Sequence, residues 1–478
     1  MYDFIRMLNY LIQNGIFIFA IAIFFSYFLK AVISGFEMIR YVRKNSFVDY
    51  TAIISSPYAP PVSILAPAYN EGKTIIENIR SLLSIHYNDF EVVIINDGSK
   101  DDSLEKIIGH YQLEKVNYMV NYEIPTKPIR GVYKSTNKAY SKLLVIDKEN
   151  GGKADSLNAG INITNKKYFA AIDVDCILEE DALIKMIKPI LEDGYNRVIA
   201  TGGVIRIANS CNIKDGKIIE VNLPSNLLAR FQVLEYTRSF LMGRMAWSRL
   251  NGLLLISGAF GVFDREIVIK AGGYDSKTVG EDMELIVRMR RYMIENELKY
   301  RIVYIPDPLC WTEVPEKLNI LSRQRNRWTR GTMETLFKHM TLFFNPKYGN
   351  LGMLGHPYWF FFEWMAPIVE TLGILYFVLI IAIGNPNWPF FSLLIGFTYL
   401  FAVTYSAWAV VFEEFTFARY RQKKDIARLL AVSLIEPLYF HPLNVWFALR
   451  GNFHYLTGKI SWGKMDRKGF ADKKKIKK

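Results

Sequence analysis

Cysteine is scarce in this chain. Three occur in 478 residues, Cys176, Cys211 and Cys310, far apart and without metal-ligand spacing. That excludes a disulfide framework and suits a globular part held in the reducing cytosol. No internal repeat is present, and low complexity is confined to the final Lys473-Lys-Lys-Ile-Lys-Lys478. The first long apolar run, Gly15-Ile-Phe-Ile-Phe-Ala-Ile-Ala-Ile-Phe-Phe25, has only Arg6 as a basic residue ahead of it and no small-residue cleavage site. A basic cluster follows it instead. These features argue against a signal peptide and for an uncleaved transmembrane helix whose C-terminal end faces the cytosol.

Negative charge is also in the minority: 59 Lys and Arg stand against 46 Asp and Glu, a net charge of +13. The basic residues gather beside apolar spans, at Arg40, Arg43 and Lys44, at residues 419–424, and at the C-terminal end. This is the positive-inside pattern of a membrane protein, and no nucleic-acid partner is expected. Hydrophobic residues make up 51% and charged residues 22%. The chain is too apolar for a purely soluble enzyme and too charged for a bare membrane bundle, and the two kinds of sequence are segregated.

Residues 1–45 read as the N-terminal transmembrane helix and its basic flank. From 60 to 310, short β-branched runs alternate with helical stretches. Val62-Ser-Ile-Leu-Ala66, Glu91-Val-Val-Ile-Ile95, Lys142-Leu-Leu-Val-Ile146, Tyr168-Phe-Ala-Ala-Ile172 and Val198-Ile-Ala-Thr-Gly202 are the expected buried strands. Such alternation predicts an α/β domain with a mostly parallel sheet and ligands at the carboxyl strand ends. Residues 311–350 and 224–256 are expected to be helices lying in the membrane surface, with core helices as the alternative. Two transmembrane helices are expected within 351–413, split by Gly384-Asn-Pro-Asn-Trp-Pro389. In 414–458 a basic loop precedes an apolar segment that Pro437 and Pro442 interrupt. Because the loop and the tail at 459–478 are both basic, that segment is expected to break into a re-entrant or interfacial helix pair.

Several groups carry chemistry. The first strand runs into Ala68-Tyr-Asn-Glu71 and the second into Asn96-Asp-Gly-Ser99. Asp97 at a carboxyl strand end can accept hydrogen bonds from a ribose or base, although Asp-Gly-Ser is equally an ordinary turn. Asp173-Val-Asp175 follows another strand. Aspartates at i and i+2 point alike and can share one divalent cation, Mg2+ or Mn2+. Gly151-Gly-Lys153 opens a helix, where the lysine can touch a phosphate or merely sit in a capping loop. Gly280-Glu-Asp282 opens another; Glu281 and Asp282 either complement the helix dipole or supply a general base to a sugar hydroxyl, in Asp282. Ser322-Arg-Gln-Arg-Asn-Arg-Trp-Thr-Arg-Gly331 sets four arginines beside a tryptophan, suiting phosphate and the flat face of a sugar or base. Glu363 and Glu370 lie in an apolar span, seven residues apart and so on one helix face. Carboxylates there usually face a cavity, and a polymer channel is the expected one.

Asp97, Asp173-Val-Asp175, Gly280-Glu-Asp282 and Gln324-Arg-Asn-Arg-Trp328 resemble, in order and spacing, the motifs of processive family-2 glycosyltransferases. These are the cellulose, hyaluronan, chitin and poly-N-acetylglucosamine synthases, whose Gln-x-x-Arg-Trp signature the last motif matches. The resemblance spans residues 60–340 by motif and the whole chain by layout. It implies an α/β nucleotide-diphospho-sugar transferase domain inserted between transmembrane α-helices, with amphipathic interface helices. It implies that Tyr69, Glu71 and Asp97 hold the uridine of a UDP-sugar. Asp173 and Asp175 bind its diphosphate through Mg2+ or Mn2+, with Lys153 nearby. Asp282, beside Glu281, deprotonates the acceptor hydroxyl. Gln324, Arg325 and Arg327 face the pyrophosphate, and Trp328 stacks under the acceptor's terminal sugar. Ser257-Gly258-Ala259-Phe260 falls where the family has its acceptor loop. Ser461-Trp462-Gly-Lys464 resembles the gating segment of hyaluronan synthases, with Lys464 where those carry threonine.

No second carboxylate nucleophile is needed, so one displacement turns an α-linked donor into a β product. The partners implied are the UDP-sugar, a growing polysaccharide, the lipid bilayer, and accessory export or regulatory subunits. The implied location is the plasma membrane, multi-pass, with the catalytic domain cytoplasmic. The broader resemblance favours UDP-glucose and a 1,4 or mixed β-glucan. The alternatives are a poly-β-1,6-N-acetylglucosamine or related polymer made from UDP-GlcNAc, and a non-processive lipid glycosyltransferase.

Overall fold

The computed structural model describes residues 2–50, 53, 56, 58–384, 386–418, 420 and 422–458. Its centre is a ten-stranded sheet in the order β3-β4-β5-β2-β1-β6-β11-β8-β12-β7. The strands are β1 Val62–Ala68, β2 Phe90–Asn96, β3 Leu113–Val116, β4 Ile129–Ser135, β5 Leu143–Lys148 and β6 Tyr168–Ile172. They continue with β7 Ile177–Leu178, β8 Arg197–Ile207, β11 Phe260–Asp264 and β12 Tyr300–Thr312; β9 Asn212–Lys214 and β10 Lys217–Glu220 form a separate hairpin.

The β-branched runs explain the middle of this sheet. β5, β2, β1 and β6 are parallel neighbours, buried almost throughout, as strands covered on both faces must be. Parallel pairing brings their carboxyl ends to one edge. Residues 69–71, 97–99 and 173–175 therefore open side by side, with Ala68 directly opposite Asn96. The expected parallel core is present, and antiparallel pairings flank it. β11 inserts antiparallel between β6 and β8, with Phe260 opposite Ile172. That insertion delivers the loop before β11 to the same edge.

Among the described residues, four helices are long and apolar enough to cross a membrane by length and composition: Asn9–Asn45, Leu351–Ile383, Trp388–Phe417 and Lys423–Leu456. The last differs from expectation. It is one helix of 34 residues running through Pro437 and Pro442, not a broken pair. Proline is tolerated inside a helix where neighbouring helices and side chains satisfy the freed backbone groups. Here the helix is held along its length. Phe440 stacks on Phe231, Glu436 binds Arg238, and Gly451 lies against Asn326 and Thr329. The arginine-broken stretch at 224–256 forms the helices Leu227–Tyr236 and Arg244–Arg249, joined by a π-helical turn at 237–243. The Gln-x-x-Arg-Trp motif lies on the helix Leu318–Lys338.

Candidate active site

Lys153, at the first turn of the helix Lys153–Ile163, connects three of the motifs. Its Nζ lies 2.5 Å from Asp173 Oδ1 and donates to the Gly258 carbonyl at 2.8 Å. Burial works against the ammonium, but Asp173, Glu281 and Asp282 together hold its pKa above the usual lysine value. The Gly258 N–H in turn donates to Asp282 Oδ2 at 3.0 Å, while the Met283 N–H occupies Oδ1 at 2.9 Å. The next carbonyl, of Ala259, accepts from the Asp173 N–H at 3.2 Å. Two residues of one loop, Gly258 and Ala259, thus fix the spacing between the Asp-x-Asp motif and Asp282. A Cβ at Gly258 would lie 3.0 Å from Lys153 Nζ and 3.2 Å from Asp282 Oδ2, so a larger residue there would have to displace one of them. A small pocket is lined by Lys153, Ser257, Gly258, Tyr274, Glu281 and Asp282.

Glu281 is buried beside Asp282. Burial, then the neighbouring carboxylate, pushes its pKa above the usual glutamate range, and Lys153 and Arg327 pull it back. That Arg327 acts on Glu281 brings the Gln-x-x-Arg-Trp helix to the same place as the carboxylates. Gln324 lies on that helix with its Oε1 buried and unbonded among the described residues. Trp328, on the same helix, is 38% exposed.

The Asp-x-Asp motif offers a cluster of candidate donors for a divalent cation. Oxygens of Asp173 and Asp175 and the Sγ of Cys176 all lie within 4.8 Å of one another. A hydrogen bond with Cys310, and then burial, push the Cys176 thiol well above its ordinary pKa, so it stays a neutral thiol. What remains is a pair of partly exposed carboxylates, a hard-oxygen set that fits Mg2+ or Mn2+ completed by water and phosphate oxygens. Cys176 itself was not anticipated from the sequence.

Other residues land differently from expectation. Asp97 is only 4% exposed and already accepts four kinds of donor: Lys148 Nζ at 2.8 Å, Gly151 N at 2.9 Å, Gly152 N at 2.8 Å and Asn150 Nδ2 at 3.0 Å. Its visible work is to pin the loop that leads into Lys153; sequence reasoning missed Lys148, which also pairs with Asp155 at 2.6 Å. Tyr69 is exposed at the end of β1, and Glu71 sits two residues on, its N–H bound to Ser103 Oγ at 3.0 Å. Phe260 is fully buried in β11, so it belongs to the core and not to an acceptor surface. An apolar residue whose backbone pairs with Ile172 has nowhere else to point. Arg325 does not face the site of the carboxylates: it is buried against Glu235 and Trp328. Glu363 accepts from Tyr358 Oη at 2.7 Å, and Glu370 pairs with His441 at 2.8 Å, so the two carboxylates have separate partners. Trp462 and Lys464 lie outside the described residues.

A sheet with a parallel centre, an Asp-x-Asp at one strand end and a carboxylate pair opposite it define a nucleotide-sugar transferase of the GT-A type. Residues 60–331 match the family model described as Glycosyltransferase like family 2, and the chain belongs to that family. It is a glycosyltransferase. It is 26% identical over 384 residues to a poly-β-1,6-N-acetyl-D-glucosamine synthase of Staphylococcus epidermidis, covering 79% of this chain and 80% of that protein. The synthase of the same name from Staphylococcus aureus is 28% identical over 277 residues, 58% of this chain and 56% of that one. Among solved structures, a mannosyltransferase from Pyrobaculum calidifontis in complex with GDP-Man and Mn2+ superposes with a TM-score of 0.58 at 17% identity, covering 93% of this chain and 100% of that one. The two staphylococcal relatives are synthases of an N-acetylglucosamine polymer, and none of these comparisons supports the favoured β-glucan from UDP-glucose.

Proposed function

We propose that this chain is a membrane-embedded, processive, inverting synthase that polymerises N-acetylglucosamine from UDP-GlcNAc into a β-1,6-linked chain. The observation that carries the donor is the similarity to poly-β-1,6-N-acetyl-D-glucosamine synthases across four-fifths of both chains. It replaces UDP-glucose, which rested on a broader resemblance alone.

The geometry supports the roles. Asp282 lies at the pocket with Oδ2 oriented by the Gly258 N–H, where an acceptor hydroxyl can pass it a proton. Lys153 and Arg327 bring positive charge to the spot where the departing diphosphate gathers negative charge. Asp173 and Asp175 hold a Mg2+ or Mn2+, which supplies Lewis-acid stabilisation of the leaving group when bound. Tyr69 and Glu71 lie toward the uridine, and Asp97 orders the loop beneath it. Trp328 offers its exposed indole to the acceptor sugar, and the side-chain NH2 of Gln324, on the same helix, is the group able to donate to the donor diphosphate.

The catalytic domain sits on the cytoplasmic face. The helices at 9–45, 351–383 and 388–417 cross the bilayer, and Lys423–Leu456 lies along the interface. Its contacts with Phe231 of the helix Leu227–Tyr236, with Arg238 of the turn that follows, and with Asn326 and Thr329 of the helix Leu318–Lys338 support lying over crossing. Glu363 and Glu370 accompany the product outward.

The test is direct. Full-length protein in detergent or nanodiscs, with Mg2+ or Mn2+, is offered labelled UDP-GlcNAc or UDP-glucose, and the product is digested with linkage-specific glycosidases. A long product from UDP-GlcNAc, cleaved by a β-1,6-specific enzyme, is expected. Incorporation from UDP-glucose alone, or a lipid bearing a single sugar, would overturn the proposal.

A further inference from the structure

The second residue of the Gln-x-x-Arg-Trp motif is placed where the motif itself gives no reason for it. Arg325 and Trp328 are three apart on one helix and so share a face. The Arg325 guanidinium carbon stands 4.1 Å from the centre of the Trp328 ring. Its Nη2 donates to Glu235 Oε2 at 2.6 Å, and Glu235 comes from the last turn of a different helix, Leu227–Tyr236. Arg325 is buried while Trp328 is exposed over more than a third of its surface. One side of the indole is therefore backed by a charged plane, and part of the rest is open. Three residues after Glu235, Arg238 binds both oxygens of Glu436, at 3.0 and 2.9 Å, and donates to Ser406 Oγ at 2.7 Å. The segment that carries Glu235 is thus itself anchored to the helices Trp388–Phe417 and Lys423–Leu456.

A plain structural anchor would not need this chemistry. Arg325 keeps Nε and Nη1 buried without a hydrogen-bond partner among the described residues. Leaving such donors unsatisfied costs free energy that apolar packing avoids. What a guanidinium does that an aliphatic side chain cannot is stack flat on an indole while its edge is gripped from outside. The grip fixes the plane of the ring.

We propose that Glu235 is a positioning residue for the acceptor: through Arg325 it sets the orientation of the Trp328 indole on which the acceptor's terminal sugar stacks. The inference rests on the proposed acceptor role of Trp328. It assigns Arg325 to the acceptor side and removes it from the diphosphate. Glu235 acts through Arg325 and touches neither substrate.

Full-length enzyme carrying Glu235→Gln, Arg325→Lys or both is assayed for UDP release, varying UDP-GlcNAc and a β-1,6-linked glucosamine oligosaccharide independently. Each single variant is expected to raise the KM for the oligosaccharide about tenfold, the size of a lost stacking geometry, and to shorten the polymer. The KM for UDP-GlcNAc stays within about twofold of wild type on the same scale. The double variant is expected to be no worse than the worse single one, because both break the same contact. A raised donor KM with unchanged acceptor KM would return Arg325 to the diphosphate and overturn the proposal. So would variants that melt earlier yet keep wild-type constants per folded molecule. A wild type that makes no polymer from UDP-GlcNAc defeats the functional reading instead; the variants are then compared on whichever donor and acceptor it does use, and the same split decides.

Discussion

Gly280 and Gly331 meet backbone to backbone: a Cβ built on Gly280 would lie 2.7 Å from the Cα of Gly331. Glu334, one turn further along the same helix, accepts from Thr278 Oγ1 at 2.7 Å and from the Val279 N–H at 2.9 Å. The turn that carries Glu281 and Asp282 is thereby laid directly on the helix that carries Trp328. Gly280→Ala must push the two apart. We expect it to cost about 1–3 kcal/mol of stability, as overpacking does. Turnover should fall further, by up to about 100-fold, because displacing a reacting group by about an ångström carries that penalty. Melting in detergent and UDP release on one preparation check both; an unchanged turnover would mean that the spacing of the two helices does not set the rate.

Asp282→Asn removes the proton acceptor while keeping the size of the side chain, whose one remaining oxygen can accept from either the Gly258 or the Met283 N–H. General-base catalysis is worth about 10²–10⁴-fold, so transfer should fall by that amount or more. UDP binding, measured by calorimetry, should stay near wild type. Lost UDP binding would assign Asp282 to the donor.

The strands of this domain were legible because β1, β2, β5 and β6 are short, mostly apolar runs, and their carboxyl ends carried the motif residues with them. The loop before β11 was legible only by resemblance, and its last member, Phe260, turned inward because an antiparallel strand begins there. Antiparallel insertion leaves no mark in local hydropathy. Lys148 escaped notice for a related reason: it ends an otherwise buried strand, fully buried itself, and only the fold brings Asp97 and Asp155 to it. The prolines at 437 and 442 misled because their local rule assumes no outside support, and this helix is supported along its length.

Glu284 is fully buried and bound by two cations and an imidazole: Arg288 Nη2 at 2.6 Å, Lys338 Nζ at 2.7 Å and His339 Nε2 at 3.3 Å. Burial alone would raise its pKa, but His339, Arg288 and Lys338 hold it well below the ordinary glutamate value of 4.5. The folded protein therefore keeps Glu284 ionised where the unfolded chain takes up a proton. Its contribution is fully present above pH 4.5 and is lost as the pH falls below that value toward the depressed one. Glu284→Gln should destabilise the enzyme by about 1–3 kcal/mol at neutral pH, by weakening the charge-assisted hydrogen bonds from Arg288 and Lys338, which keep their other partners Ala271, Gly273 and Asp275. It should also flatten the acid limb of a plot of melting temperature against pH. An acid limb as steep as that of wild type would place the titrating group elsewhere.

Asp175→Asn tests the cation without altering the Lys153–Asp173 pair. Chelation of wild type should abolish transfer, and Mn2+ or Mg2+ should restore it. In Asp175→Asn the concentration of Mn2+ for half-maximal rate should rise by about 10–100-fold, the usual cost of disturbing a metal site. Equal metal requirements in the two proteins would remove Asp175 from the ligand set.

Glu370 pairs with His441 across the helices Ala366–Ile383 and Lys423–Leu456. A carboxylate in so apolar a span is costly and is kept where it meets water, an ion or a polar ligand. Sugar hydroxyls supply donors of that kind, and both members of the pair are partly exposed. Glu370→Leu removes the acceptor; Glu370→Gln keeps a carbonyl oxygen in its place. In inverted membrane vesicles, the leucine variant should give shorter chains and a smaller share of product protected from added glycosidase. Initial UDP release with a short acceptor should be unchanged, because Asp282 and Trp328 are untouched. The glutamine variant should lie between leucine and wild type. Unchanged chain length and protection in Glu370→Leu would make the pair a helix-to-helix clasp only, and the product would then have to leave along another face of these helices.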